Sequence, residues 1–316
     1  MGKYIIKRLA MSILIIFLVS VFAFSLMHIL PGDPIRIALG ESVSEETIAE
    51  YRAKYHLDKP VLQQYGLWVE GILRGDFGKS LLYGEDVTTL IKTKLPVTMA
   101  IGIPVVLISA FFGILFGVVT AVKRGTWMDQ LITTIANIGI GVPQFWIAIL
   151  CIFLFGLKLH VLPIQGYTAP SDDFGKYVYM SLLPVLCLSF GFIATITRQT
   201  RSNMLEVINQ DYVRTARANG IPERSVIFRH ALKNALIPVI TIIGLQVRII
   251  VGGSVVIERI FNIPGIGALL IRAITERDYF IIQACVLVIS LVTVGCNFIV
   301  DLLYGVVDPR VRKSWR

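Results

Sequence analysis

Gly75-Asp-Phe-Gly-Lys-Ser80 is the first segment of the chain whose residue types suggest chemistry, because Gly-Lys-Ser can cradle phosphate. A phosphate loop also needs a glycine five residues before the glycine of that tripeptide, so that successive amides turn toward the anion. Leu73 stands there, so the segment is read as a turn. His28, His56, His160 and His230 are scattered among different segments. Neither His-Glu-x-x-His nor Gly-x-Ser-x-Gly occurs, which removes two common hydrolytic arrangements. Ser254 has no His or Lys at a spacing that would activate it. Cys151, Cys187, Cys285 and Cys296 lack paired metal-ligand spacing and read as small hydrophobes inside apolar stretches. The expectation is a chain with no catalytic residue, no metal and no cofactor of its own.

Two other features carry more information. Arg248 lies near the middle of an apolar stretch, where an isolated guanidinium is expensive. With Gln246 beside it, Arg248 either lines an aqueous path and meets an anionic group or pairs inside the protein. Asp301, near the end of the last apolar stretch, reads as a partner or cap close to water. The second feature is the segment from Arg198 to Pro238, with seven basic residues: Arg198, Arg201, Arg214, Arg217, Arg224, Arg229 and Lys233. Gln210 to Asn219 reads as a short helix with Asp211 early and Gly220 as its stop. Ile221-Pro222 makes a turn, and Glu223 begins a helix running toward Pro238. A rigid hairpin between two apolar stretches can transmit a push, whereas a floppy loop cannot. The bland alternative is a basic loop facing lipid headgroups.

The elements that position these residues are apolar. Of 316 residues, 55% are hydrophobic and 16% charged, and the mean hydropathy is +0.73. Six stretches, near 9–30, 97–122, 131–157, 178–197, 234–257 and 280–306, reach the roughly 20 residues that a spanning helix needs. The first is read as a retained span, because its apolar run is long for a signal peptide and no small-x-small site follows. With the amino terminus in the cytoplasm, Lys3, Lys7, Arg8, Lys123, Arg124, the seven basic residues above and Arg310, Arg312, Lys313 and Arg316 all fall inside. That is the positive-inside pattern. The net charge of +9 therefore sets orientation against the lipid bilayer and does not predict nucleic-acid binding.

Residues 31–95 read as a small folded cap outside. Ser42-Val-Ser-Glu45 resembles a capping box, with Ile48, Tyr51 and Tyr55 at helical spacing after it. A second helix is expected over 60–73, with Trp68 on its apolar face. Phe261-Asn-Ile-Pro-Gly-Ile-Gly267 reads as a re-entrant turn or a short helix pair. Pro104, Pro143, Pro184 and Pro238 are read as kinks. Gly113, Gly117, Gly244, Gly252 and Gly253 are read as sites of close helix approach. No internal repeat is visible, which weighs against an inverted-repeat carrier.

Arg214-Thr-Ala-Arg-Ala-Asn-Gly220 with Arg229-His-Ala-Leu-Lys-Asn-Ala-Leu-Ile-Pro238 resembles the cytoplasmic signature of ABC importer permeases, in the dipeptide/oligopeptide/nickel branch. The resemblance spans nearly the whole chain. Leu30-Pro-Gly-Asp-Pro34, Gly75-Asp-Phe-Gly78, Leu162-Pro163, Glu258-Arg-Ile-Phe-Asn-Ile-Pro-Gly-Ile-Gly267, Arg277-Asp278-Tyr279 and Asp308-Pro-Arg310 fall in the family's order. Arg214-Thr215-Ala216 replaces the general Glu-Ala-Ala, a change similar to that of the peptide branch. Arg248 departs from the small or apolar residue expected in relatives.

The resemblance implies an all-α, polytopic type I importer permease with about six spans and a small helical extracytoplasmic loop. It implies a first segment over 1–30, the loop over 31–95 and a permease core over 96–316, with the coupling segment at 198–233. It implies a membrane-spanning subunit of an ATP-driven, binding-protein-dependent importer of di- or oligopeptides, with nickel chelates, glutathione or another small solute as the alternative cargo. The different-class alternatives are an ion-coupled carrier and a membrane scaffold. Implied partners are a second homologous permease, two cytoplasmic ABC ATPases that use ATP and Mg, and an extracytoplasmic solute-binding protein. The implied location is the inner (cytoplasmic) membrane, with both termini cytoplasmic. Asp211, Tyr212, Arg214, Thr215, Ala216, Arg217, Ala218, Asn219, Gly220, Arg229, His230, Asn234 and Pro238 would couple to the ATPases. Gln246, Arg248, Gly252, Gly253, Ser254 and Glu258 would line the translocation path.

Overall fold

A computed structural model describes residues 2–29, 32–40 and 43–307, with the side chains of 2–4, 38, 248–253 and 303–307 outside the described set. Among the described residues the regular secondary structure is helical, apart from one isolated bridge between Lys79 and Asp86. In chain order the helices are α1 (Gly2–Ile29), α2 (Pro34–Leu39), α3 (Glu45–Lys54), α4 (Val61–Leu73), α5 (Val87–Val122) and α6 (Trp127–Gly141). Next come α7 (Gln144–Cys151), continued by a π-helical stretch over Ile152–Lys158, then α8 (Phe174–Ile208), α9 (Asp211–Ala218) and α10 (Glu223–Ser225). A second π-helical stretch, Val226–Ala231, leads into α11 (Leu232–Ile260), followed by α12 (Ile266–Glu276) and α13 (Tyr279–Val307).

Among the described residues five helices are long and apolar enough to cross a membrane, and α6 with α7 brings the number to six if the bent pair is one span. The contiguous span expected near 131–157 is in fact two helices bent by 109°. Pro143 lacks an amide hydrogen, and it holds Val142 in an extended conformation (φ −90°, ψ 130°). Pro96, Pro104, Pro184 and Pro238 remain inside continuous helices. The ends of the broken span lie at opposite ends of the bundle. Asp129 meets Arg201 of α8 at 2.9 Å, while the amide of Gly166 donates to the carbonyl of Phe261 at 2.9 Å.

In hydrocarbon the apolar effect does not drive helices together, so close backbone approach must. A Cβ on Gly113 would stand 2.5 Å from Ile196 Cβ, and one on Gly117 would stand 2.4 Å from Thr200 Cβ. These two glycines seat α5 against α8. Gly244 does the same for α11 against Val300 of α13. Ile101, Val105, Leu183, Leu188, Phe192, Ile257 and Phe261 fill the centre between α5, α8 and α11. By contrast α1 stands at the rim with Leu14, Phe17, Leu18 and Phe22 exposed.

One end of the bundle holds the Arg8–Asp301 ion pair (2.8 Å), the ends of α5 and α8, and residues 209–231. The other holds the cap, 159–173 and α12. There Ser20 Oγ meets Tyr65 Oη at 2.7 Å, and Phe24 packs on Tyr65 and Trp68. The α3 helix is capped by Ser44, whose hydroxyl accepts from the amide of Thr47. Ser42, the cap read from sequence, lies outside the described residues. Residues 261–265 form a tight turn before α12. Asp308-Pro-Arg310 lies outside the described residues.

Candidate functional site

The hairpin between α8 and α11 folds as its punctuation requires. Asp211 opens α9, and Gly220 takes φ +74°, the left-handed conformation that glycine adopts without strain. The amide of Gly220 donates to the carbonyl of Arg217 (3.0 Å), and that of Ile221 to Ala216 (3.3 Å). These bonds close α9 and reverse the chain. Val213 and Ala216 then bury against Val226, with Val207 and Ile221 beside them. This small apolar core makes the hairpin a body rather than a loop, and sequence reasoning missed it. Its signal was present in the three-residue spacing of Val213 and Ala216 opposite charged neighbours.

The other face of α9 is open. Asp211, Tyr212, Arg214, Thr215, Arg217, Ala218, Asn219 and Gly220 are exposed, whereas Ala216 is buried. Arg217 grips Glu223 in a two-pronged bond (2.7 and 3.1 Å), bracing the turn. Thr215 Oγ1 donates to the carbonyl of Asp211. Tyr212 is the link to the membrane. Its hydroxyl accepts from Asn234 Nδ2 at 2.8 Å, and that same amide group donates to the carbonyl of His230. Asn234 lies in the first turn of α11, so the hairpin is tied to the rod that crosses the bilayer. Arg229 is exposed on the π-helical stretch, and Pro238 is exposed one turn beyond Asn234.

Arg201 does not belong to the open basic surface. Its guanidinium is committed to buried Asp129 through two 2.9 Å bonds. Asp129 also accepts from the Gly125 amide and the Thr133 hydroxyl. That satisfaction allows a carboxylate to be buried. Asp301 pairs with Arg8 near the same end of the bundle.

Of the six residues expected along a path, three have described side chains. Gln246 is buried, and its amide donates to the carbonyl of Phe192 in α8 at 3.4 Å. Ser254 and Glu258 are fully buried, and Ser254 Oγ donates to Glu258 Oε1 at 3.0 Å. These three face α5, α8 and α12 inside this chain. Arg248, Gly252 and Gly253 lie in α11, but their side chains fall outside the described residues. A cleft of about 500 Å³ opens between α1, α11 and α13, with mostly apolar walls (Met11, Ile15, Val19, Leu245) interrupted by Ser12 and Asn297.

The sequence has counterparts along nearly its whole length. The family described as binding-protein-dependent transport system inner membrane component matches residues 113–313. The N-terminal part of such membrane components matches residues 1–102. An oligopeptide transport system permease protein of Bacillus subtilis is 38% identical, covering 98% of this chain and 99% of its own. A di/tripeptide transport system permease protein of Pseudomonas aeruginosa is 38% identical, covering 99% and 100%. A glutathione transport system permease protein of Escherichia coli is also 38% identical, covering 99% of both chains. With matches along its length and a bundle of apolar spans to carry them, this chain belongs to the family of binding-protein-dependent transport system inner membrane components.

Proposed function

We propose that this chain is one of two membrane subunits of an ATP-driven importer of di- or oligopeptides. The observation that carries the reading is the braced hairpin, with its polar face open and its Tyr212–Asn234 bond to α11. A cytoplasmic ABC ATPase would grip the face from Tyr212 to Gly220. A second, homologous permease would complete the pore, bringing a second ATPase. ATP and Mg would be used by those partners. This chain has no phosphate loop, because Leu73 stands where the first glycine is needed, and we assign it no reaction or cofactor of its own.

An extracytoplasmic binding protein would deliver cargo to the outer surface made by 31–95 and 258–279. Both termini would lie in the cytoplasm, on the side of the Arg8–Asp301 pair, with the protein in the cytoplasmic membrane. Alternating access would follow as the hairpin moves α11, and Arg248 is the residue proposed to meet the carboxylate of a peptide in the path. The peptide cargo rests on the peptide-transport roles for which two relatives are named. Glutathione, itself a peptide, is the second cargo to test because another relative of the same identity is named for it.

Co-reconstitution of this chain with its ATPases, second permease and binding protein tests the reading. Peptide uptake is expected with ATP and absent without it. Gradient-driven uptake without ATPases would overturn it in favour of an ion-coupled carrier, and binding without uptake in favour of a scaffold.

A further inference from the structure

Glu258 is fully buried at the outer end of α11, and every oxygen of its carboxylate is engaged. Oε1 accepts from Thr98 Oγ1 of α5 at 2.7 Å and from Ser254 Oγ at 3.0 Å. Oε2 accepts from the amide of Ala268 at 2.9 Å. Thr98 is a relay, because its oxygen also accepts from the amide of Ile266 at 2.9 Å. Ile266 and Ala268 lie in the first turn of α12, where amides have no partner within the helix and the dipole favours an anion. Gly265 precedes that helix and supplies no side-chain cap. Glu258, from the neighbouring helix, fills the place.

The surroundings are shaped to admit it. A Cβ on Gly265 would stand 2.4 Å from Glu258 Cδ, and one on Gly267 would stand 2.9 Å from Oε2. Gly265 has φ −86°, so space rather than backbone freedom calls for glycine. The turn between the helices is closed by the Ile263 amide donating to the carbonyl of Glu258 at 2.8 Å.

The two ends of this connection lie far apart. On the cytoplasmic side, α11 begins at the hairpin, where Asn234 holds Tyr212. On the outer side, α12 is tied to the cap. Tyr83 donates to Glu276, which Arg272 also holds, and Ser80 donates to Asp278 at 2.5 Å just after the helix. The stations run from hairpin to α11, through one carboxylate to α12, and on to the surface that faces outward. A charge removed from water in the membrane is costly unless it is matched, and one matched by two separate helices resists their separation.

We propose that Glu258 is a latch that makes α12 follow α11, a positioning residue that carries hairpin motion to the outer face during transport. This rests on the importer reading for its readout of coupling. The latch would hold α12, and through it the cap, in register with the state of the ATPases.

The test uses Glu258→Gln, which keeps the volume but presents an amide N–H to a cluster made of donors, and Thr98→Ser, which keeps the relay oxygen. In the reconstituted complex, ATP hydrolysis by Glu258→Gln should persist while peptide uptake per ATP falls about tenfold, within the usual range of coupling energies. Thr98→Ser should retain wild-type coupling. In the isolated chain, spin labels at exposed Val256 on α11 and Ile274 on α12 should give one narrow distance in wild type and a broadened one in Glu258→Gln. If Glu258→Gln does not insert, Thr98→Val carries the same test by freeing the Ile266 amide. Uptake and hydrolysis falling together in proportion to protein abundance, or an unchanged label distance, would overturn the latch. Failure of the wild-type complex to import with ATP would sink the importer reading, while the label distances would still decide the latch.

Discussion

Replacing Gly220 separates backbone strain from steric contact at the hairpin. Nothing lies within 4 Å of a Cβ built there, and φ is +74°. A side chain therefore meets open space, and the cost is conformational: about 1–2 kcal/mol for an ordinary L residue held in the left-handed region. That energy corresponds to a roughly 5–30-fold rise in the open population of the turn. The Ile221 amide, bonded to Ala216 in the closed turn, should exchange with solvent deuterium faster by that factor in Gly220→Ala. Asn tolerates the left-handed region, so Gly220→Asn should lie between glycine and alanine. Valine should be worse than alanine because its branched Cβ is an outlier there. Gly220→Pro should be worst, since its φ is locked near −65° and it loses the amide that donates to Arg217. ATP-driven uptake in the assembled complex should follow the same order with membrane insertion unchanged. Equal exchange rates for Gly220→Asn and Gly220→Val, or no change in Gly220→Ala, would refute the strain argument.

Tyr212→Phe removes the acceptor for Asn234 and is expected to cost about 1 kcal/mol at the hairpin–α11 joint; it should lower uptake per ATP without lowering abundance, read by paired transport and hydrolysis assays. Gly117→Ala would force a Cβ to 2.8 Å from the Thr197 carbonyl as well as against Thr200, and overpacking of this kind costs about 1–3 kcal/mol, so a lower Tm of the purified protein is expected. Arg248→Ala should reduce uptake of a peptide with a free carboxylate more than that of its C-terminal amide, with abundance unchanged; equal loss for both would remove the carboxylate contact. The Glu276 carboxyl is held below its ordinary value of 4.5 by the Tyr83 hydroxyl, against some desolvation, with Arg272 adding to the lowering. Its link to the cap is therefore complete above that value and is lost as pH falls through the lowered one. A crosslink between the cap and α12 should weaken in that acidic window, and Glu276→Gln should remove the pH dependence.

Local signals carried the hairpin. The left-handed stop at Gly220, the turn at Ile221-Pro222 and the acidic start at Asp211 act on neighbouring residues, so they are legible along the chain. The same holds for the spans, because hydropathy summed over a helix length decides what a bilayer accepts. Sequence reasoning did not distinguish Pro143, which breaks its span, from Pro104, Pro184 and Pro238, which do not. The outcome depends on whether neighbouring helices can satisfy the carbonyls that a proline frees. Arg201 looked like one more basic residue until folding brought it to Asp129, 72 positions away.

Sequence alone determined that this is a bundle of membrane helices with a punctuated hairpin, because dihedral preference and apolar length are properties of contiguous residues. Only the tertiary structure decided that Glu258 is an internal tie between α5, α11 and α12. Thr98, 160 residues earlier, and the amide of Ala268 must converge on it before a buried carboxylate becomes tolerable.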